Sequence, residues 1–201
     1  NTPMLTAALT ALGVDLVAVE TARDARDGLR DMLERLIGAI DLIVTTGGVS
    51  VGEEDHVKPA LRELGMVPSF SGVAMKPGKP VSFGRVGTSY WLGLPGNPLS
   101  AFVTWQLFGP ALCAALSGGG PAAPGRRKIQ LASDVTHKPG RCEMRLARLT
   151  TCAITGQEAA VPLQATHSGR VAELPRMDGF VVIPAQATSL PHGTLVDFHP
   201  F

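Results

Sequence analysis

Between Asp41 and Lys58 the chain reads DLIVTTGGVSVGEEDHVK, which places an apolar run, a glycine pair, a hydroxyl and three consecutive acids within one short stretch. Leu42, Ile43 and Val44 are the composition of a strand covered on both faces. The carboxyl ends of such strands are where open α/β sheets receive ligands. Gly47 and Gly48 allow a sharp turn at positive φ, and successive N–H groups in such a turn form a concavity for an anion. Ser50 adds a hydroxyl, and Gly52 continues the small-residue loop. Glu53, Glu54 and Asp55 then follow. Carboxylates beside an oxyanion nest repel the bound anion unless a cation or a proton mediates, so the pattern points to metal-assisted chemistry on an anionic substrate, with Asp55 and Glu53 as metal ligands. A plainer reading stays open: a glycine turn followed by acids that favour the positive end of a helix, with His56 as a capping residue.

Two further motifs carry groups suited to anions. In MKPGKP, Lys76 and Lys79 flank Pro77 and Gly78, and Pro80 follows; two prolines stiffen the turn and present the ammonium groups at low entropic cost. The alternative is a solvated lysine turn at a sheet edge. In LPGNP, Pro95 and Gly96 close a strand, Asn97 is a strong N-cap and Pro98 suits the first position of a helix. The amino end of that helix directs partial positive charge toward the strand end. Two strand ends, each followed by a glycine loop and a helix start, are expected to line one crevice.

The elements that position these motifs follow from periodicity. Thr2 and Pro3 start a helix with Leu5, Ala8, Leu9 and Leu12 on one face, stopped by Gly13. Val14 to Val19 reads as a strand, and Leu29, Met32, Leu33, Leu36 and Ile37 form the stripe of a second helix with Asp24 and Asp27 near its start. The Asp41 strand, a short helix from His56 to Leu64, β-like runs in 67–75 and 81–92, a strand from Tyr90 to Leu94 and a long apolar helix to Leu116 complete this half. Helix, strand, helix, strand predicts parallel strands joined by crossovers: an α/β protein, a three-layer α/β/α sandwich with a mostly parallel sheet over residues 1–117. Residues 118–125 fall in SGGGPAAPG, an uncharged glycine- and proline-rich linker. Beyond it, short strands at Lys128–Leu131, Cys142–Leu149, Ala159–Leu163, Gly179–Ile183 and Leu195–Phe198 predict a small all-β carboxyl-terminal domain, barrel-like, over 126–201.

Composition narrows the classes. The 201 residues are 45% hydrophobic and 17% charged, which describes a well-cored globular chain. A formal net charge of +1, without strong segregation between the halves, argues against a nucleic-acid surface. Cys113, Cys142 and Cys152 are odd in number and lack C-x-x-C spacing, which disfavours a disulfide framework or a zinc site. No signal peptide and no uninterrupted apolar stretch of membrane-spanning length is read in the chain, so a cytoplasmic protein without a membrane or nucleic-acid partner is expected. The chain opens at Asn1 on the lead into a helix, and a preceding segment is expected.

TTGGVSVGEEDHVK, AMKPGKP and GLPGNPLSAFVT occur here in that order, and with them the sequence resembles the molybdopterin molybdotransferase family, which includes the enzymatic domain of gephyrin. The resemblance is strong over residues 1 to about 117 and weaker through HSGR and MDGFVVIP in the carboxyl-terminal part. It implies insertion of molybdenum from molybdate into adenylylated molybdopterin, with release of AMP and help from a divalent ion such as Mg2+. It implies that residues 1–117 bind molybdopterin, that the first strand of that domain is missing and that the protein works as a homodimer. By motif, Asp55 resembles the essential loop acid, Asp24 the acid after the second strand, Lys76 the lysine near the oxyanion, and Pro95 and Pro98 the prolines of the pocket wall. Gly72 stands where many members have a lysine, and Glu173 and Leu174 stand where serines are common. A molybdopterin adenylyltransferase and a non-catalytic molybdopterin-binding fragment or scaffold are the alternatives.

Overall fold

The computed structural model describes residues 1–21, 26–48, 56–120, 125–152, 156–164 and 170–201. They fall into two compact units, Asn1–Val73 with Gly78–Gly120, and Ala74–Pro77 with Pro121–Phe201.

The first unit contains helices α1 (Thr2–Ala11), α2 (Arg26–Leu36), α3 (Val57–Glu63) and α4 (Pro98–Leu116), and strands β1 (Leu42–Thr46), β2 (Val67–Ser71), β4 (Ser82–Val86) and β5 (Ser89–Leu94). The sheet order is β1-β5-β4-β2. Among the described residues of this sheet, β1 and β5 are the parallel pair; β5 with β4, and β4 with β2, are antiparallel. The expected mostly parallel sheet is therefore corrected to a mixed one. The cause lies in the run 81–92, which is two strands joined by Gly87 and Thr88. A two-residue connection with Gly87 at φ +58° makes a hairpin, whereas a parallel pair needs a long crossover.

A second correction concerns Val14–Val19, which forms no strand. Val17 and Val19 are 65% and 54% exposed. Alternating apolar residues make a strand only where a neighbouring strand completes the ladder, and among the described residues this segment has none. In α1 the N-cap position is Asn1 rather than Thr2, and of the expected stripe Leu5 is buried while Leu12 is 41% exposed.

Alternation assigns the sheet faces. Trp91, Ile43 and Val86 lie on one face in a common core with Leu29 and Leu33 of α2 and Val57, Ala60 and Leu61 of α3. On the other face Phe70, Phe83 and Tyr90 form a row of aromatic contacts, with Phe108 of α4 against Phe70. The sheet is thus covered by helices on both sides. Helix α4 is long and apolar enough to cross a membrane by length and composition, although Ser100, Thr104 and Gln106 interrupt its apolar run. Eight of its residues, Trp105 among them, are buried inside this unit.

The second unit is built from β3 (Met75–Lys76), β6 (Arg127–Leu131), β7 (Val135–Thr136), β8 (Cys142–Thr151), β9 (Glu158–Pro162), β10 (Gly179–Ile183), β11 (Ser189–Leu190) and β12 (Leu195–Pro200), with a 3-10 turn at Arg170–Arg176. The pairings β10-β12-β6-β9-β8 return from β8 to β10 and close a ring. Ring closure removes free sheet edges, and the interior is filled by Ile129, Leu131, Ala147, Val181, Ile183 and Phe198. The two residues of β3 pair in parallel with the start of β8, Met75 opposite Cys142 and Lys76 opposite Glu143. The all-β part expected after residue 126 is present, each predicted strand falling on an observed one.

Two candidate sites, one in each unit

In the first unit, β1 and β5 are in register from Leu42↔Tyr90 to Thr46↔Leu94, so their carboxyl ends stop side by side. The pairing extends one residue further, Gly47 N–H donating to the Leu94 carbonyl at 3.1 Å. Gly47 and Gly48 have φ of +85° and +64°, the left-handed conformations that the glycine pair is suited to supply. A Cβ on Gly96 would sit 3.4 Å from the Gly47 Cα, so the two loops meet glycine to glycine. Thr46 Oγ1 donates to the Pro95 carbonyl at 3.3 Å. The Asn1 amide spans both loops, its Nδ2 donating to Thr46 Oγ1 and, at 2.8 Å, to the Gly96 carbonyl. Asn97 caps α4, its Oδ1 accepting from Ser100 N–H at 3.3 Å, and Pro98 occupies the first turn. The structure therefore brings Gly47 and Gly48 together with Pro95, Gly96, Asn97 and Pro98. Asn1 and Thr46 join them without any distinguishing motif, because their part is seen only once the two strand ends are adjacent.

Ser50, Gly52, Glu53 and Asp55 lie outside the described residues, as does Asp24. Among the described residues no group of three His, Cys, Asp or Glu side chains is placed to hold a metal ion.

The lysine turn divides between units. Lys76 belongs to the second unit and Lys79 to the first, where Lys79 is exposed and its carbonyl accepts from Val73 N–H at 2.9 Å. Lys76 lines a cavity of about 480 Å³ with His137, Lys138, Arg141, Glu143 and Arg145. Glu143 and Arg145 are two apart on β8, so both point to the same side of the sheet, and both are buried. Arg145 donates to the Glu143 carboxylate at 2.9 and 3.3 Å and to the Thr136 carbonyl at 3.0 Å. His137 Nδ1 meets the Ala187 carbonyl at 2.8 Å, and its Nε2 lies 3.7 Å from Glu143. Lys76 Nζ lies 3.8 Å from the same carboxylate. Burial pushes the neighbouring Cys142 thiol up, only partly opposed by Arg126, which leaves it the neutral thiol and a poor nucleophile. Sequence reading found Lys76 but missed the other residues of this site, because its charges are scattered over β3, β8 and the loop before β8. The one usable signal was the density of Lys138, Arg141, Glu143 and Arg145 within eight residues.

A two-sided α/β unit whose parallel strands end in touching glycine loops, joined to a small closed barrel, has counterparts among known proteins. Residues 1–114 match the family model described as probable molybdopterin binding domain, and residues 128–201 match the MoeA C-terminal region, domain IV. Molybdopterin molybdenumtransferase 2 of Mycobacterium tuberculosis is 35% identical over 200 residues, covering 96% of this chain and 48% of that protein. Molybdopterin molybdenumtransferase of Haemophilus influenzae is 49% identical over 78 residues, 39% of this chain and 19% of its own length. A crystal structure of a molybdopterin biosynthesis MoeA protein from Pyrococcus horikoshii superposes with a TM-score of 0.68 at 29% identity, over 89% of this chain and 42% of that one. The chain belongs to the molybdopterin molybdotransferase family. It spans less than half the length of each of these three relatives.

Proposed function

We propose that the protein serves molybdenum cofactor biosynthesis as a molybdopterin molybdotransferase, with molybdate and adenylylated molybdopterin as substrates and AMP released. The observation that carries the reading is the basic cavity around Lys76, which supplies an oxyanion site on a chain whose other half belongs to a pterin-binding family. In this reading the touching loops at Gly47, Gly48 and Pro95–Pro98 hold the pterin side, through backbone N–H groups and the positive end of α4. Lys76 and Arg141 hold the oxyanion through charge-assisted hydrogen bonds. Ser50, Gly52 and Lys79 are assigned to substrate binding, and Asp55 and Asp24 to catalysis, on motif alone. Mg2+ held by Asp55 and Glu53 would suit hard carboxylate donors and would neutralise phosphate charge. A homodimer and a cytoplasmic location belong to the same proposal. The adenylyltransferase alternative has less support, because it leaves the basic cavity of the barrel without a ligand.

Calorimetric titration of the 201-residue protein with sodium molybdate tests the oxyanion site. Lys76→Ala is expected to weaken binding about tenfold, the loss of one charge-assisted contact, while stability changes by no more than about 0.5 kcal/mol, as for a half-exposed side chain. Equal binding by both proteins would remove Lys76 from the site.

A further inference from the structure

Among the described residues, the cavity that holds Lys76 has one acidic side chain with five basic ones, and that acid is buried. Glu143 is 3% exposed, and among the described residues its carboxylate has the cationic Arg145 at 2.9 Å and Lys76 at 3.8 Å, with the His137 ring at 3.7 Å. The contacts are unequal in kind. Arg145 makes two hydrogen bonds to the carboxylate and its position is fixed by the Thr136 carbonyl. Lys76 lies beyond hydrogen-bond reach, so its attraction to Glu143 is Coulombic and undirected. Lys138 and Arg141 make no ion pair among the described residues, which leaves the cavity cationic at its rim.

We propose that Glu143 is an internal counter-ion for the oxyanion site: it occupies the cationic side chains in the absence of a ligand and competes with a bound anion for Lys76. This rests on the reading above that Lys76 binds the oxyanion. A carboxylate held by Arg145 cannot leave the cavity, so an arriving oxyanion must draw Lys76 away from it and accept the repulsion of a fixed negative charge nearby. The competition lowers affinity for every oxyanion alike, and it suits a site that must give up its anion to a second substrate, since tight binding of the ground state contributes nothing to transfer. The ordinary alternative is that Glu143 steers Lys76 toward the ligand, and the two roles predict opposite signs.

The test is titration of the 201-residue protein and its Glu143→Gln variant with sodium molybdate and, separately, sodium sulfate. Gln keeps the shape and removes the charge, so both anions are expected to bind about tenfold more tightly. Weaker or unchanged binding of both would overturn the counter-ion role, weaker binding favouring the steering role. Because Gln leaves Arg145 without its counter-charge, Glu143→Asp is measured beside it; it retains the charge for Arg145 but draws the carboxylate back from Lys76, and a twofold to fivefold tightening is expected, again by the Coulombic argument. If Gln fails to fold, unchanged or weaker binding by the Asp variant overturns the proposal. Lys76→Ala keeps the two readings apart. If it leaves molybdate binding intact, the oxyanion site itself is wrong; if it weakens binding while the Glu143 variants do not tighten it, only the counter-ion role fails.

Discussion

The two units build their candidate sites from different materials. In the α/β unit the site is almost entirely backbone: glycine N–H groups, strand-end carbonyls and the first turn of α4, locked by Asn1 and Thr46. In the barrel it is almost entirely side chains, a buried Glu143–Arg145 pair with Lys76, His137, Lys138 and Arg141 around it. Backbone sites tolerate changes of side chain but fail when an added Cβ alters the path of the chain. Side-chain sites respond instead to single charges. The difference gives each half its own kind of vulnerability.

The sharpest way to break this contrast lies at the one position where the α/β unit would depend on a single charge. Asp55→Asn, in the protein carrying its full family complement of domains, is expected to lower transfer by about 100-fold or more, the scale of a lost acid–base group, with folding intact. Turnover of adenylylated pterin with molybdate and Mg2+ is the measurement. A plain capping role predicts near-normal turnover, since Asn caps as well as Asp. A second change asks whether the barrel also has a backbone dependence. A Cβ on Gly179 would run into the His199 carbonyl and the Phe198 ring, so Gly179→Ala is expected to cost about 3 kcal/mol in urea unfolding.

The barrel's sensitivity to charge is further tested by pH. Burial, with the charge of Arg126 adding to it and Asp197 opposing it, holds His199 down to about 4, against an ordinary value near 6.5. The ring lies stacked on Phe180 at 4.8 Å, and its Nε2 has no hydrogen-bond partner among the described residues. Below pH 6.5 the unfolded chain takes up a proton that the folded one refuses, so stability falls progressively from pH 6.5 to about 4, by about 2 kcal/mol. Urea unfolding at pH 7 and pH 4.5 should show this loss in the parent and not in His199→Phe. The smallest expected effect returns to the α/β unit: Asn97→Ala removes the cap of α4 and is expected to cost about 1 kcal/mol by the same method.

The same contrast explains what was legible in the sequence. Gly47, Gly48, Gly96 and Asn97 could be read as a site because backbone geometry leaves a local mark: glycines where φ is positive or chains touch, and Asn-Pro where a helix begins. The barrel strands were legible because apolar runs between turns specify them locally; Gly179–Ile183 agrees to the residue. The sheet's direction was not, because β-forming residues on both sides of Gly87-Thr88 let 81–92 be read without placing the hairpin turn inside it. Val14–Val19 has the pattern of a strand, but strand formation depends on a neighbour that no local pattern reports. The Glu143 cluster was invisible for a related reason: the pairing of β3 with β8 joins positions 67 residues apart in the chain.

That pairing also constrains how the chain can be divided. A cut in the linker after residue 117 would appear to free an intact barrel, yet Met75 and Lys76 would remain on the wrong fragment. Joining another barrel at the linker alone would leave its β8 to pair with this chain's Met75 and Lys76. During synthesis, too, Lys76 leaves the ribosome before any strand it will pair with has been made. Ala74–Pro77 is thus a component of the second unit encoded inside the first, and neither half of this chain is complete when cut at the linker.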